Sequence, residues 1–272
     1  MTTHSEHAQH FLAFHEQDTP LLLANAWDEG SAKLFAWLGF RALATTSGGH
    51  AATLGRLDGK VTLDEAVAHA AAIVGATDLP VSCDFENGFA DSPDDVAVNV
   101  RRAGATGLAG LSVEDASKDP AAPIYDAGFA AERVAAAAEA AHASDAHVVL
   151  TARAENYLHG RTDLPDTIAR LQSFEVAGAD VLFAPGLTDL AEIREVVTSV
   201  GKPVNVLAMP GAPTVAELGE IGVKRISVGS AFANVAFGAV IQAGRELLDE
   251  GTYGFWKVGG VGFTATHTAF AP

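Results

Sequence analysis

Eight short apolar runs, each followed by a stretch with helical period, constrain this chain more than any other feature. The runs cover residues 21–27, 41–47, 80–86, 107–114, 147–155, 180–185, 203–209 and 225–229. Helix-period segments follow them at 29–38, 62–76, 93–103, 129–143, 165–177, 189–199, 214–221 and 231–249. Near-continuous apolar strands alternating with helices imply a parallel sheet covered on its faces. Eight such units predict an α/β fold of the (β/α)8 TIM barrel type, although a doubly wound sheet has the same local grammar. No linker rich in Pro, Ser or charge divides the chain, and 49% hydrophobic residues suffice for a core. The expectation is one barrel domain over 1–272, with its core at about 11–254 and a tail at 255–272.

Helix boundaries carry their own marks. Thr62 with Glu65 and Thr214 with Glu217 read as capping boxes, and Ser92 before Pro93 as an N-cap. Gly39, Gly178, Gly201 and Gly222 follow helical runs, where a left-handed residue is often needed. The 231–249 segment, with Phe232, Val235, Phe237, Val240 and Ile241, is apolar on much of its circumference, which suits a buried or subunit-exchanged helix.

The charge excludes some partners. Thirty-four acidic against 17 basic residues leave −17, the wrong sign for binding nucleic acid. One cysteine, Cys83, excludes an intramolecular disulfide framework and fits a reducing cytoplasm. The first residues lack a basic region leading into an apolar stretch, and no run has a membrane-spanning pattern, so a cytoplasmic protein is expected. His4, His7 and His10 have a three-residue spacing, yet a frayed, solvated terminus is the expectation there.

Strand parity locates the chemistry. In a barrel strand alternate residues face inward, and those at the C-terminal end face the mouth. In 80–86 the apolar set Val81, Cys83 and Phe85 takes the helix-facing side, which leaves Asp84 and Glu86 inside and Cys83 a buried core thiol. The same rule points Ser112 and Glu114 inward on the next strand, and Thr151, Arg153 and Glu155 on the one after. Carboxylates gathered at neighbouring strand ends repel unless cations sit among them. Arg153 supplies one charge, and a hard divalent ion, Mg²⁺ or Mn²⁺, would supply the rest. The alternative is a structural ion-pair network. After the second strand, Thr45-Thr-Ser47-Gly48-Gly49-His50 permits a tight turn whose amides could converge on an oxyanion, or is a flexible loop. Asp58 could reach over the mouth, or be an ordinary turn aspartate.

Taken in order, Asn25-Ala-Trp27-Asp28, the Thr-Ser-Gly-Gly stretch with Leu-Gly-x-x-Asp after it, Asp84-x-Glu86-x-Gly-Phe, Val113-Glu114-Asp115 and Thr151-Ala-Arg153-x-Glu155 resemble the phosphoenolpyruvate mutase/isocitrate lyase superfamily, from about Phe11 to Gly254. The resemblance implies a barrel enzyme, a homotetramer or homodimer that exchanges its last helix, with Mg²⁺ and a 2-oxo acid bound at the mouth. It implies Asp84 as the direct metal ligand, with Glu86, Glu114 and Asp58 holding its waters. It further implies that Trp27, Ser47, Gly48 and Gly49 hold the substrate carboxylate and enolate oxygen, that Arg153 neutralises the substrate, and that Asn205 and Phe183 line the site. Arg153, Ser47 and Glu114 would then carry the chemistry.

One departure narrows the activity. Lyases of that family carry Lys-[Lys/Arg]-Cys-Gly-His after the fourth strand, and this chain has 116–126, ASKDPAAPIYD, with neither cysteine nor histidine. Cleavage of isocitrate or methylisocitrate by the usual route is therefore not expected, and the asparagine-bearing loop of the phosphonate mutases is missing too. Lys118 and Tyr125 are candidate loop acids, or parts of a solvent-facing lid. The reading is a Mg²⁺-dependent lyase that breaks a C–C (or C–P) bond of a small 2-oxo or 2-hydroxy carboxylic acid through an enolate, like an oxaloacetate decarboxylase. The alternatives are a phosphonomutase, a phosphonopyruvate hydrolase-type enzyme or a non-catalytic dicarboxylate-binding barrel.

Overall fold

A computed structural model describes residues 3–143 and 146–271. Eight strands form the barrel: β1 Leu21–Ala26, β2 Leu43–Thr45, β3 Val81–Asp84, β4 Gly110–Glu114, β5 Val149–Arg153, β6 Val181–Phe183, β7 Val204–Leu207 and β8 Arg225–Ser227. All neighbours are parallel, and the pairing of Leu21 with Arg225 closes β8 onto β1. That closure decides for the (β/α)8 barrel over the doubly wound sheet.

The helices are α1 His4–Phe14, α2 Glu29–Trp37, α3 Ser47–Thr53, α4 Leu63–Ala76, α5 Pro93–Gly104, α6 Ala127–His142, α7 Leu164–Val176, α8 Leu190–Ser199, α9 Val215–Glu220, α10 Ala231–Arg245 and α11 Trp256–Ala269. A π-helical turn, Glu246–Glu250, extends α10 and ends at Gly251 in the left-handed region. Both expected capping boxes form, and Ser92 caps α5 with proline in its first turn. Gly39, Gly178 and Gly222 adopt positive φ as expected. Gly201 does not. Its amide instead donates to Glu175 Oε2 at 2.9 Å, which ties the end of α8 to α7.

Three segments differ from the sequence reading. The N-terminus is not frayed: Thr3 and Glu6 form a capping box, and α1 plugs the lower end of the barrel. Phe11, with no exposed surface, packs there with Leu21, Leu23, Ala42, Val149 and Val181. The plug also explains Gly110, where a Cβ would lie 2.7 Å from Phe11 Cε1. The Thr45–His50 stretch is neither tight turn nor flexible loop but the start of α3, with Thr46 as its N-cap. The expected tail forms α11, which packs against α2. No helix among the described residues is long and apolar enough to cross a membrane.

The main apolar core lies between sheet and helices, where Val81, Cys83, Phe85, Leu111, Val113 and Leu150 face outward from their strands. Each such Leu, Val or Phe contributes about 1.5–3 kcal/mol when fully buried. Spending the outward positions on packing leaves the inward ones for polar groups.

Candidate active site

Asp84 closes β3, Glu114 closes β4 and Arg153 closes β5, and the ladder sets Glu114 directly beside Arg153. Arg153 is the hub of the mouth. Its Nη1 lies 2.9 Å from Asp84 Oδ1 and 3.2 Å from Glu114 Oε2, while Nη2 lies 2.8 Å from Glu155 Oε1. Burial alone would lower the pKa of this guanidinium, but Glu155, Glu114 and Asp84 outweigh it and hold the group firmly charged. The second oxygen of Asp84 accepts the Ser47 amide N–H at 3.1 Å, so the first turn of α3 docks on the same carboxylate.

Glu86 reaches the cavity by another route. The strand ends at Asp84, and Glu86 adopts φ +45°, a left-handed conformation that costs a non-glycine residue about 1–3 kcal/mol. Parity therefore assigned the right destination to a residue that no longer obeys it. Oε1 of Glu86 is buried without a hydrogen-bond partner among the described residues, and Oε2 lies 3.9 Å from Lys118 Nζ. Burial, opposed by Lys118 and reinforced by Asp84 and Asp58, pushes its carboxyl up to about 7. Burial also raises Glu114 well above the carboxylate range, against the pull of Arg153. Crowded carboxylates with raised proton affinity and an unpartnered oxygen are a donor set of oxygens alone, suited to a hard divalent cation.

These groups line one cavity of about 450 Å³ at the C-terminal ends of the strands. Ser47, Asp58, Phe183 and Asn205 line it too, and the Arg153 guanidinium stands 5.3 Å over the Phe183 ring. Gly48 and Gly49 lie outside the cavity lining, and a Cβ at Gly48 would crowd Ser230 Oγ at 2.7 Å and Asp58 Oδ2 at 3.1 Å. At Gly49 a Cβ would stand 2.5 Å from Thr46 Cγ2, so this position packs the helix start. Trp27 is not brought to the cavity wall. Its ring meets Phe35 edge-on at 5.9 Å, and its carbonyl accepts from His69 Nε2 at 3.1 Å.

The loop after β4 folds back on itself through the pairing of Ala116 with Ile124. Lys118 stands over the mouth, whereas the Tyr125 hydroxyl donates to Asp91 and lies outside the cavity lining. Among the contributors that sequence reasoning missed are His159 beyond β5, and Arg225 and Ser227 on β8, all of which line the cavity. For Arg225 the signal was available, because a charged residue opening an otherwise apolar run must face somewhere polar. It also missed the support beneath the rim. Buried Arg133 donates to the carbonyls of Asp91 at 3.0 Å, Glu114 at 3.1 Å and Ala90 at 2.8 Å, and to that of Asn87. Asp115 accepts the Glu155 amide at 2.8 Å and the Arg170 guanidinium at 3.0 Å.

A separate cluster, His142, His147 and Asp180, lies at the opposite end, where β6 begins. Its imidazoles stack 4.1 Å apart and nearly parallel, so their in-plane lone pairs do not aim at a common point, and both face one carboxylate instead.

Comparisons with known proteins agree with the architecture and narrow the chemistry. A family model for phosphoenolpyruvate phosphomutase matches residues 11–248. The crystal structure of a Burkholderia cenocepacia protein, assigned only provisionally as a lyase/mutase, superposes with a TM-score of 0.91 at 47% identity, over 93% of this chain and 92% of that one. The chain is 30% identical to Escherichia coli 2-methylisocitrate lyase over 75% of this chain and 70% of the relative. It is also 30% identical to an oxaloacetate decarboxylase of Paraburkholderia xenovorans, over 87% of this chain and 80% of the relative.

Proposed function

The chain belongs to the phosphoenolpyruvate mutase/isocitrate lyase superfamily of lyases and mutases, and from that premise we propose that it is a metal-dependent lyase of small 2-oxo carboxylic acids, with oxaloacetate decarboxylation the reaction its site fits best. The observation that carries this is the meeting of Asp84, Glu86, Glu114 and Arg153 in one cavity whose loops offer no cysteine acid.

In this reading Asp84 would hold Mg²⁺ or Mn²⁺ directly, and Glu86, Glu114 and Asp58 would hold its waters. A cation held there would supply Lewis acidity toward the 2-oxo carboxylate. The remaining work belongs to the chain. Arg153 places a fixed positive charge where negative charge develops, in a pocket of low dielectric where such charge counts most. With the Ser47 amide held by Asp84, the Ser47 hydroxyl and the Gly48 amide at the start of α3 orient the enolate oxygen in this reading. Phe183, Pro185 and Leu158 add apolar surface to the lining. In decarboxylation the C3–C4 bond breaks, its electron pair passes into the enolate and CO₂ leaves without a proton. The enolate then takes one proton at C3 to give pyruvate, and in this reading His159 or Lys118, which both line the cavity, delivers it. The reading includes a homo-oligomer, dimer or tetramer with the last helix exchanged. It is supported by exposed Val240, Leu248, Trp256, Val261 and Phe263 on the C-terminal helices.

The test is a panel of oxaloacetate, 2-hydroxy diacids and phosphonopyruvate, followed by NMR with EDTA-treated protein and after adding Mg²⁺. Pyruvate release from oxaloacetate that requires Mg²⁺ and vanishes in Asp84→Asn, with unchanged circular dichroism, is the expected result. Full turnover in EDTA would reject the metal role. Turnover of the phosphonate alone would reassign the chain to C–P chemistry, and binding without turnover would make it a dicarboxylate-binding barrel.

A further inference from the structure

Beneath the rim carboxylates the barrel holds a second cation. Arg225 opens β8 with Leu21 and Asn205 as ladder partners, is 4% exposed and lines the floor of the same cavity. Its Nη2 donates to Thr151 Oγ1 at 3.0 Å and its Nη1 faces His15 Nε2 at 3.5 Å, while Nε has no partner among the described residues. His15 is committed to neutrality here. Its Nδ1 lies 2.8 Å from the Phe11 carbonyl and must donate to it, which leaves Nε2 as the acceptor toward Arg225.

All partners of this guanidinium are therefore uncharged. Arg153 contacts three carboxylates and Arg170 two, yet no carboxylate among the described residues forms an ion pair with Arg225. An uncompensated buried charge is destabilising by several kcal/mol. Burial, with Arg153 adding its repulsion, brings the Arg225 pKa down to about 9. A second orphan adjoins it: Oδ1 of buried Asn205 has no partner, while its Nδ2 bonds Ser227 Oγ at 3.0 Å. The Ser227 hydroxyl can donate as well as accept, so this amide can turn its NH₂ into the cavity.

We propose that the barrel floor is a monoanion subsite, built on Arg225 with Asn205 and Ser227 and with Thr151 holding the guanidinium from behind, that takes a carboxylate-sized anionic group. Two sources share that chemistry, the second carboxylate of a diacid whose first end lies at Arg153, or a small free anion. Thr151 and Arg153 are successive inward residues of β5, so the two levels are about 6.6 Å apart along the strand, a step suited to a diacid of four or five carbons. The diacid source rests on the lyase reading; the subsite itself does not.

The experiment uses the full chain. In EDTA and chloride-free buffer, formate titrated by calorimetry is expected to bind saturably, one per chain. Arg225→Gln should weaken it at least tenfold, and Arg225→Lys should retain most of it. Asn205→Asp, which supplies an internal counter-charge, should abolish formate binding and raise Tm. With Mg²⁺ present, D-malate is compared with oxalate, which has no distant carboxylate. A tenfold loss for malate alone in Arg225→Gln identifies the diacid as occupant; equal affinities with loss of formate binding identify a free anion. Absence of saturable formate binding in the wild type together with unchanged malate affinity in Arg225→Gln overturns the subsite, as does wild-type formate affinity in that variant. If Mg²⁺ fails to promote malate or oxalate binding at all, the lyase reading falls while the formate arm still decides the subsite.

Discussion

Arg153 Nη1 lies 2.9 Å from Asp84 Oδ1 although β4 separates the strands that carry them. One guanidinium thus spans three strand ends, since the same nitrogen lies 3.2 Å from Glu114 Oε2 on β4. Arg153→Gln leaves Asp84, Glu114 and Glu155 facing one another without a cation. In metal-free protein this variant should lose about 3–5 kcal/mol in urea unfolding, the usual consequence of breaking a buried pair. Mg²⁺ should raise its Tm by more than it raises that of the wild type, because the ion then offsets repulsion that Arg153 otherwise relieves. Equal Mg²⁺ increments in the two proteins would show that the carboxylates do not share one ion.

Arg133 fixes the rim from behind. With its donors spent on the carbonyls of Asn87, Ala90, Asp91 and Glu114, it ties the turn after β3 to the end of β4. Arg133→Met keeps the volume but strands those carbonyls, each at about 1–3 kcal/mol. The expected outcome is a stability loss of several kcal/mol, together with faster amide exchange at 87–91 than in the helices. Exchange that rises uniformly over the chain would instead mark a general packing defect.

Cys83 faces the helices, and burial pushes its thiol up to about 12. At that pKa almost no thiolate exists at neutral pH, and the thiolate is the reactive form. Native protein should therefore resist Ellman's reagent and yield one thiol per chain only in denaturant. Cys83→Ala should retain activity within about twofold, whereas rapid native labelling would contradict the outward placement.

Much of this was legible in the sequence because the barrel's period is simple. Short apolar runs between helix-period segments located all eight strands, and strand parity gave the inward direction of Asp84, Glu114 and Arg153, since the other face packs against helices. What parity could not carry was the backbone beyond the ladder. Glu86 sits at positive φ and Ser47–Thr53 coils into a helix, both outcomes of loop geometry rather than strand period. Nor could local pattern foresee α1, because its amphipathicity is weak and its value lies in one residue, Phe11, reaching under the barrel. Arg225 is marked in the sequence by its charge at the head of an apolar run, but its partners are not, because they come from other strands and the plug helix, and only closure brings them together.

The last prediction concerns that plug. Burial, followed by the repulsion of Arg225, lowers His15 to about 3, against an ordinary value of 6.5. The sign follows from which state binds the proton. Between those two values the unfolded chain takes up a proton that the folded chain refuses, so stability is full above about pH 6.5 and falls as pH drops toward 3. Each pH unit in that window is worth about 1.4 kcal/mol for one group, so His15 alone should remove about 2 kcal/mol between pH 7 and pH 5. His15→Gln keeps a neutral acceptor for Arg225 but cannot titrate there, and urea unfolding of this variant should lose less stability over the same interval by about that amount. If wild type and variant fall in parallel, His15 titrates alike in both states, and the head-to-head arrangement of imidazole and guanidinium does not hold in solution.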